Sequence, residues 1–167
     1  NTFGNPVTLT RRNGTSSVWQ RRYFGYDSAQ RLCKRMDVET GTTIMDYDAG
    51  GNLKWSAVGL PWSLPTLCET QWGFYNGRRV DLTYDQRNRL QTATFQNNVG
   101  NTTFEYTPTG KVARLSTDNG GGAVATTTYA YDTRGKLTEE RLLYDSYLNW
   151  PITYSYNANG HLSSQSW

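Results

Sequence analysis

A seven-residue pattern recurs six times along this chain of 167 residues. Each copy begins with tyrosine at position 1, continues through a short polar stretch, and ends with leucine or valine at position 7. The copies occupy residues 26–32, 47–53, 84–90, 106–112, 131–137 and 156–162. Successive tyrosines are 21, 37, 22, 25 and 25 residues apart, so the chain is an array of similar units with one insertion. Because each unit of such an array buries its apolar face only against its neighbours, this repeat constrains the fold strongly.

Each copy predicts a tight turn between two strands. Position 2 is aspartate in four copies, threonine in one and asparagine in one, and such short acceptors close turns by bonding the backbone two residues on. Position 5 is glycine in four copies, Asn88 in one and Gln30 in the exception. Glycine and asparagine accept the left-handed backbone that a short hairpin loop requires. The predicted turn residues are Tyr26, Asp27, Tyr47, Asp48, Gly51, Tyr84, Asp85, Tyr106, Gly110, Tyr131, Asp132, Gly135, Tyr156 and Gly160.

The segments around the turns predict β-strands. An apolar residue precedes each tyrosine by two positions, as Phe24 precedes Tyr26, which places both on one face of a strand. Stretches rich in Thr, Tyr, Val and Leu favour sheet, and no segment has the apolar period of a capped helix. Hydrophobic residues make up only 36% of the chain, which favours a thin sheet over a globule. We therefore predict an all-β fold, an array of antiparallel hairpins in one curved, continuous sheet.

The composition argues against several classes of function. The net charge is only +3, and the arginine pairs at 11–12, 21–22 and 78–79 would point to opposite strand faces, so we predict no nucleic-acid surface. No apolar run is long enough for a membrane span. His161, the single histidine, stands where other copies have Arg, Lys or Asn, so we predict no enzyme activity and no catalytic residue. Each turn offers one carboxylate, and we expect no metal site and no cofactor.

The long interval between the second and third copies predicts a loop insertion at about residues 56–78. Prolines, glycines, Trp62 and Trp72 cluster there, as in a loop that crosses a sheet surface. Cys68 lies in this insertion and Cys33 on the strand after the first turn. Two cysteines are too few for a structural zinc site. A disulfide that ties the insertion to the sheet and a pair of independent thiols are the two interpretations.

The pattern Tyr-Asp-x-x-Gly-Arg-Leu resembles the RHS/YD repeat. The resemblance covers essentially the whole chain, with six copies and a partial seventh at residues 3–7, and segments 45–53 and 84–90 look like bacterial members. Gln30, Thr107 and Asn157 depart from the family pattern. The resemblance implies a β-strip that spirals into a hollow shell or cocoon. In bacterial members such a shell encloses a C-terminal toxic domain; in animal relatives, similar shells belong to extracellular adhesion receptors. The family's self-cleaving motif, Asp-Pro-x-Gly-Leu, does not occur in this chain, so autoproteolysis is not carried over.

The resemblance leads to an expected function. Residues 1–167 are expected to be a YD-repeat segment of a larger bacterial polypeptide, secreted or at the cell surface, that encapsulates a C-terminal toxin and helps deliver it. The expected partners are the rest of that polypeptide and its toxin cargo. The alternative is a surface adhesin that binds glycans by stacking sugar rings on Trp62 and Trp72, with Trp55 and Trp150 as further candidates. Packing between strands is the competing explanation for all four tryptophans.

Overall fold

A computed structural model describes residues 1–12, 19–61, 68, 78–144 and 148–167, without the side chains of Arg12 and Trp19. These residues form thirteen β-strands and no helix. The strands are β1 (Thr8–Arg12), β2 (Trp19–Tyr26), β3 (Leu32–Asp37), β4 (Gly41–Tyr47), β5 (Leu53–Leu60), β6 (Arg79–Tyr84), β7 (Leu90–Phe95), β8 (Asn101–Tyr106), β9 (Val112–Asp118), β10 (Val124–Tyr131), β11 (Leu137–Tyr144), β12 (Leu148–Tyr156) and β13 (Leu162–Ser166). No helix that could cross a membrane occurs in this described part.

The strands hydrogen-bond in chain order, each to the next, in one antiparallel sheet. The predicted all-β array of hairpins is therefore confirmed. In five copies of the pattern the position-1 tyrosine pairs directly with the position-7 residue across the turn, as Tyr26 pairs with Leu32 and Tyr131 with Leu137. The register shifts at each of these tyrosines. Such a bulge bends the strand and increases its local twist.

The chain divides into two compact units, and the interpretation of residues 1–167 as one repeat segment of a larger protein stays a prediction. Unit 1 comprises Asn1–Leu82 and Phe95–Asn97, and unit 2 comprises Thr83–Thr94 and Asn98–Trp167. Every buried hydrophobic side chain among the described residues belongs to unit 1. Ile44, Trp55, Ala57 and Leu60 form its buried cluster on β4 and β5.

The strand β5 continues to Leu60, inside the range predicted for the insertion. β6 begins at Arg79. Of the residues between them, the structure describes only Pro61, Cys68 and Arg78. The predicted sugar-stacking residues Trp62 and Trp72 lie outside the described residues.

Candidate functional site

All six turns are closed by the same two backbone hydrogen bonds. In the first copy, the amide of Asp27 donates to the carbonyl of Arg31 at 2.9 Å, and the amide of Gln30 donates to the carbonyl of Asp27 at 3.0 Å. The other five copies repeat both bonds at 2.8–3.1 Å. The position-5 residue has a positive φ in every copy, including 57° at Asn88 and 62° at Gln30. The turn therefore imposes the left-handed backbone even where glycine is replaced.

The position-2 side chain accepts a hydrogen bond from the backbone amide four residues on, in all six copies. Thr107 does so for Lys111 at 3.1 Å, and Asn157 for His161 at 2.9 Å. These two departures from aspartate therefore keep the bond. The predicted bond to the amide two residues on is also present, for example from Arg87 to Asp85 at 2.8 Å. Sequence reasoning missed the longer bond, which all copies share.

In three of the turns, these donors lower the pKa of the aspartate and favour its charged form. Hydrogen bonds from the Arg89 guanidinium and amide lower the pKa of Asp85 to about 2. The side chain and the amide of Asn52 lower the pKa of Asp48. Burial acts to raise the pKa of Asp27, but the hydrogen bonds from Arg31 outweigh it, and this pKa also lies below its usual value. A carboxylate that accepts several hydrogen bonds resists protonation.

Four of the repeat tyrosines link their hairpin to the preceding one. The hydroxyl of Tyr47 donates to the carbonyl of Leu32 at 2.8 Å, and that of Tyr131 donates to Val112 at 2.9 Å. Tyr106 and Tyr156 make the same bond to Leu90 and Leu137. In each case the acceptor is the position-7 residue of the copy before.

The partial seventh copy follows the same rule. Tyr26 donates its hydroxyl proton to the carbonyl of Pro6 at 2.9 Å. Gly4 precedes Pro6 by two residues and has φ of 82°, which matches positions 5 and 7 of the full pattern. Residues 3–7 therefore provide the neighbour that Tyr26 needs. The sequence signal for this hydroxyl was the use of tyrosine, never phenylalanine, at position 1 in all six copies.

A cation at position 6 covers the tyrosine ring of the next copy. The guanidinium of Arg31 lies 4.7 Å from the centre of the Tyr47 ring, and that of Arg89 lies 4.2 Å from Tyr106. The lysine ammonium groups take the same place at the later junctions, with Lys111 at 5.0 Å from Tyr131 and Lys136 at 4.8 Å from Tyr156. Such contacts contribute about 0.5–1 kcal/mol each at partly exposed sites.

Arginine and lysine complete this junction differently. Arg31 and Arg89 donate from Nε to the aspartates of their own turns, Asp27 at 2.8 Å and Asp85 at 2.7 Å. Among the described residues, the Lys111 side chain donates only forwards, from Nζ to the carbonyl of Gly135 in the next turn, a direction in which Arg31 also donates, to the Asp48 carbonyl at 3.3 Å. A Cβ atom on Gly135 would lie 2.9 Å from Cε of Lys111. Glycine at this position thus serves both the left-handed backbone and the approach of the neighbouring lysine.

Cys33 and Cys68 form a disulfide, with Cα atoms 5.5 Å apart. This separation lies within the usual range for a bridge. Cys33 is buried on β3, so the bridge fixes one residue of the segment between β5 and β6 to the sheet of unit 1.

The described tryptophans differ in their surroundings. Trp55 is 2% exposed, donates from Nε1 to Asp46 at 3.2 Å, and has the Arg79 guanidinium 4.5 Å from its ring centre. It therefore offers no free face to a sugar, and packing accounts for it. Trp150 on β12 is 67% exposed.

His161 donates its backbone amide proton to Asn157 and belongs to the sixth turn. Across the described ranges, no group of three or more His, Cys, Asp or Glu side chains is placed to hold a metal ion.

No protein-family model and no curated protein matches this chain. Solved structures do match it. The crystal structure of TcdB2-TccC3-Cdc42 has a TM-score of 0.72 and 19% identity over 90% of this chain and 7% of that one. The crystal structure of TcdB2-TccC3 gives the same values. The Photorhabdus luminescens Tc holotoxin pore with a TccC3 mutation has a TM-score of 0.71 and 18% identity at the same coverage. This similarity shows a shared fold, and the chain spans only 7% of the length of those chains.

Proposed function

We propose that this chain is a segment of the wall of an RHS-type β-shell that encloses a toxin and helps deliver it. The observation that carries the proposal is the repeated junction between hairpins. In five copies the tyrosine donates its hydroxyl proton to a backbone carbonyl of the preceding repeat, and the copies with a position-6 cation extend that cation over the next tyrosine. This scheme can be extended by adding copies, as a wall requires.

The geometry supports enclosure through an unbroken sheet. Neighbouring strands lie about 4.8 Å apart in the hydrogen-bonding direction, so a paired sheet leaves no opening for a protease or a folded domain. The tyrosine and cation contacts lie next to the turns, where main-chain pairing ends. They therefore hold neighbouring hairpins together at the rim, where a sheet would otherwise fray.

The proposed partners are the rest of the parent polypeptide and its toxin cargo, and the proposed location is secreted or at the bacterial surface. The fold shared with parts of a Tc holotoxin pore supports a toxin assembly. In this proposal the segment acts as a barrier and performs no reaction itself.

Limited proteolysis of the longer polypeptide that contains this segment tests the proposal. We expect the cargo region to survive at protease concentrations that digest the same region expressed alone. The double variant Tyr131→Phe with Tyr156→Phe removes two junction bonds, and we expect faster digestion of the cargo. Equal digestion of the enclosed and the isolated cargo would contradict the proposal.

A further inference from the structure

A groove of about 570 Å³ lies on unit 2, and none of its lining residues belongs to the six repeat turns. It is lined by Glu140, Leu142, Trp150, Pro151, Ile152 and Trp167. The strands β11 and β12 form its floor, and they pair Leu142 with Trp150 and Glu140 with Ile152. Residues directly opposite each other on paired strands project to the same face. Glu140, Leu142, Trp150 and Ile152 therefore lie on one face of the sheet, the groove face.

This face carries exposed apolar side chains. Leu142 is 39% exposed and Trp150 is 67% exposed. Tyr144 and Leu148, the next cross-strand pair on that face, are also exposed. The residues between them along the strands point the other way, and one of them, Arg141, hydrogen-bonds Glu139 and Asn149 there. The most exposed apolar side chains of these two strands thus lie on the groove face.

Glu140 brings a carboxylate to the groove. It stands opposite Tyr129 on β10, and the Tyr154 hydroxyl donates to its Oε2 at 3.4 Å. Burial raises the pKa of Tyr129 and of Tyr154, and the negative charge of Glu140 raises both further. Within the described residues Glu140 has no ion-pair partner, whereas its neighbour Glu139 pairs with Arg141 at 2.8 Å. The groove therefore combines an uncompensated negative charge with apolar walls.

We propose that this groove binds an extended apolar peptide segment that carries a lysine or arginine side chain. The cation pairs with Glu140, and a neighbouring apolar side chain lies against Leu142 and the ring of Trp150. The inference rests on the proposed function, because the bound segment would belong to the enclosed cargo. It adds the chemistry by which the wall holds that cargo.

The lining favours a basic peptide over a glycan. A sugar ring on a tryptophan needs several hydrogen-bonding groups around it to bind its hydroxyls. Five of the six lining side chains have no hydroxyl, carboxamide or charged group, and Glu140 is the one carboxylate. A partly buried carboxylate and an indole in the same groove are suited to a cation, because both groups attract positive charge.

Fluorescence anisotropy with labelled peptides tests the inference on this 167-residue chain. The probe is Gly-Ser-Leu-Lys-Leu-Ser-Gly, compared with counterparts that have serine or glutamate in place of lysine. We expect the lysine peptide to bind more tightly than the serine peptide, and the glutamate peptide not to bind. Glu140→Gln is expected to weaken binding of the lysine peptide about tenfold, the loss of one charge-assisted contact. The serine peptide should be unaffected.

The matched control is Glu139→Gln, which removes a carboxylate from the adjacent residue on the opposite face and should leave peptide affinity unchanged. Trp150→Ala should weaken the lysine and serine peptides alike, since it removes apolar contact. Circular dichroism confirms that each variant keeps its sheet.

Several results would overturn the inference: no binding of the lysine peptide, equal loss in Glu139→Gln and Glu140→Gln, or tight binding of chitohexaose that Glu140→Gln leaves unchanged. The last outcome would assign the groove to glycans. The protease test on the longer polypeptide separates this inference from the proposed function. If the cargo is protected from protease but the groove does not bind the basic peptide, the groove proposal is wrong and the proposed function still stands.

Discussion

Unit 1 and unit 2 share the same turns and the same junctions between repeats, but they differ in what they bury. In unit 1, Ile44 and Ala57 pair across β4 and β5 inside a cluster that also contains Trp55 and Leu60. In the described part of unit 2 the single buried side chain is polar, Thr126, with 6% exposure. Unit 1 also has the Cys33–Cys68 bridge. The described strands of unit 2 thus form their hairpin array without a buried apolar cluster of this kind.

Unit 2 replaces buried apolar area with contacts between neighbouring strands. Hydroxyl pairs link adjacent strands: Thr83 with Thr92, Thr102 with Thr117, Ser116 with Thr126, and Thr153 with Ser166. Such cross-strand pairs contribute about 0.2–1 kcal/mol each. The comparison indicates that many small contacts between neighbouring strands can stabilise a repeat array. The buried cluster and the disulfide occur only in unit 1, which also contains the segment between β5 and β6.

The largest expected effect is loss of the disulfide, which belongs to unit 1 alone. The bridge closes a sequence separation of 35 residues, for which the chain-entropy treatment gives about 4 kcal/mol. We expect reduction to lower the denaturant midpoint of unit 1 and to leave that of unit 2 unchanged, as followed by hydrogen exchange at single residues. A thiol assay on the denatured protein without reductant should find no reactive thiols. Two reactive thiols per chain would show that the bridge is absent.

Truncation of a side chain in the buried cluster should cause the second-largest loss of stability. Ile44→Ala removes a side chain that is 1% exposed, and such a change costs about 2–4 kcal/mol through lost burial and the cavity left behind. The matched change in unit 2 is Leu142→Ala, which should cost less than about 1 kcal/mol because that side chain is already partly in water. Urea denaturation of both variants measures the difference. Similar losses would mean that the two units are stabilised in the same way.

Sequence reasoning reached the fold but not the junctions. The tyrosine spacing and the glycine at position 5 predicted hairpins, because both act within seven residues. The bond from Tyr131 to Val112 joins residues 19 apart, and a repeat pattern alone does not say which backbone carbonyl faces a hydroxyl. The groove at Glu140 was missed for the same reason, since it depends on the pairing of β11 with β12.

At Gln30 the sequence suggested a difference between the turns that the structure does not contain. The sequence marked it as a misfit because glutamine rarely takes a left-handed backbone, yet its φ is 62° and its turn has the same hydrogen bonds as the others. Its side chain accepts bonds from Asn1 at 3.0 Å and Asn5 at 3.4 Å. Here the shared turn geometry overrides the preference of one residue.

Removing one junction hydroxyl should have a moderate effect. Tyr131→Phe deletes the bond to the Val112 carbonyl and keeps the ring under the Lys111 ammonium, so we expect a loss of about 1 kcal/mol. The control is Tyr144→Phe on β11, whose hydroxyl makes no such bond to another repeat in the described part of the chain; it should change stability by less than about 0.5 kcal/mol. Urea denaturation of unit 2 provides the measurement. If both changes lower stability equally, the bond from the Tyr131 hydroxyl does not stabilise the junction between repeats.

The smallest effect concerns pH and compares one turn from each unit. Asp85 in unit 2 accepts from the Arg89 guanidinium, whereas Asp48 in unit 1 accepts from the Asn52 amide. The pKa of Asp85 falls to about 2 in the folded protein, below the ordinary value of about 3.9. Its stabilising contribution is therefore complete above about pH 4 and is lost as the pH falls through about 2.

Asp85→Asn keeps an acceptor for the turn, as Asn157 does naturally, but cannot titrate. We expect it to destabilise the protein slightly at pH 7 and to lose that deficit between about pH 4 and 2. Added salt should shrink the deficit at pH 7, because it screens the attraction between the carboxylate and Arg89. Asp48→Asn should show less dependence on salt, since its partner Asn52 is neutral. Identical salt responses in the two variants would mean that the charge of Arg89 adds nothing to its turn, and that hydrogen bonding alone closes the turns of both units.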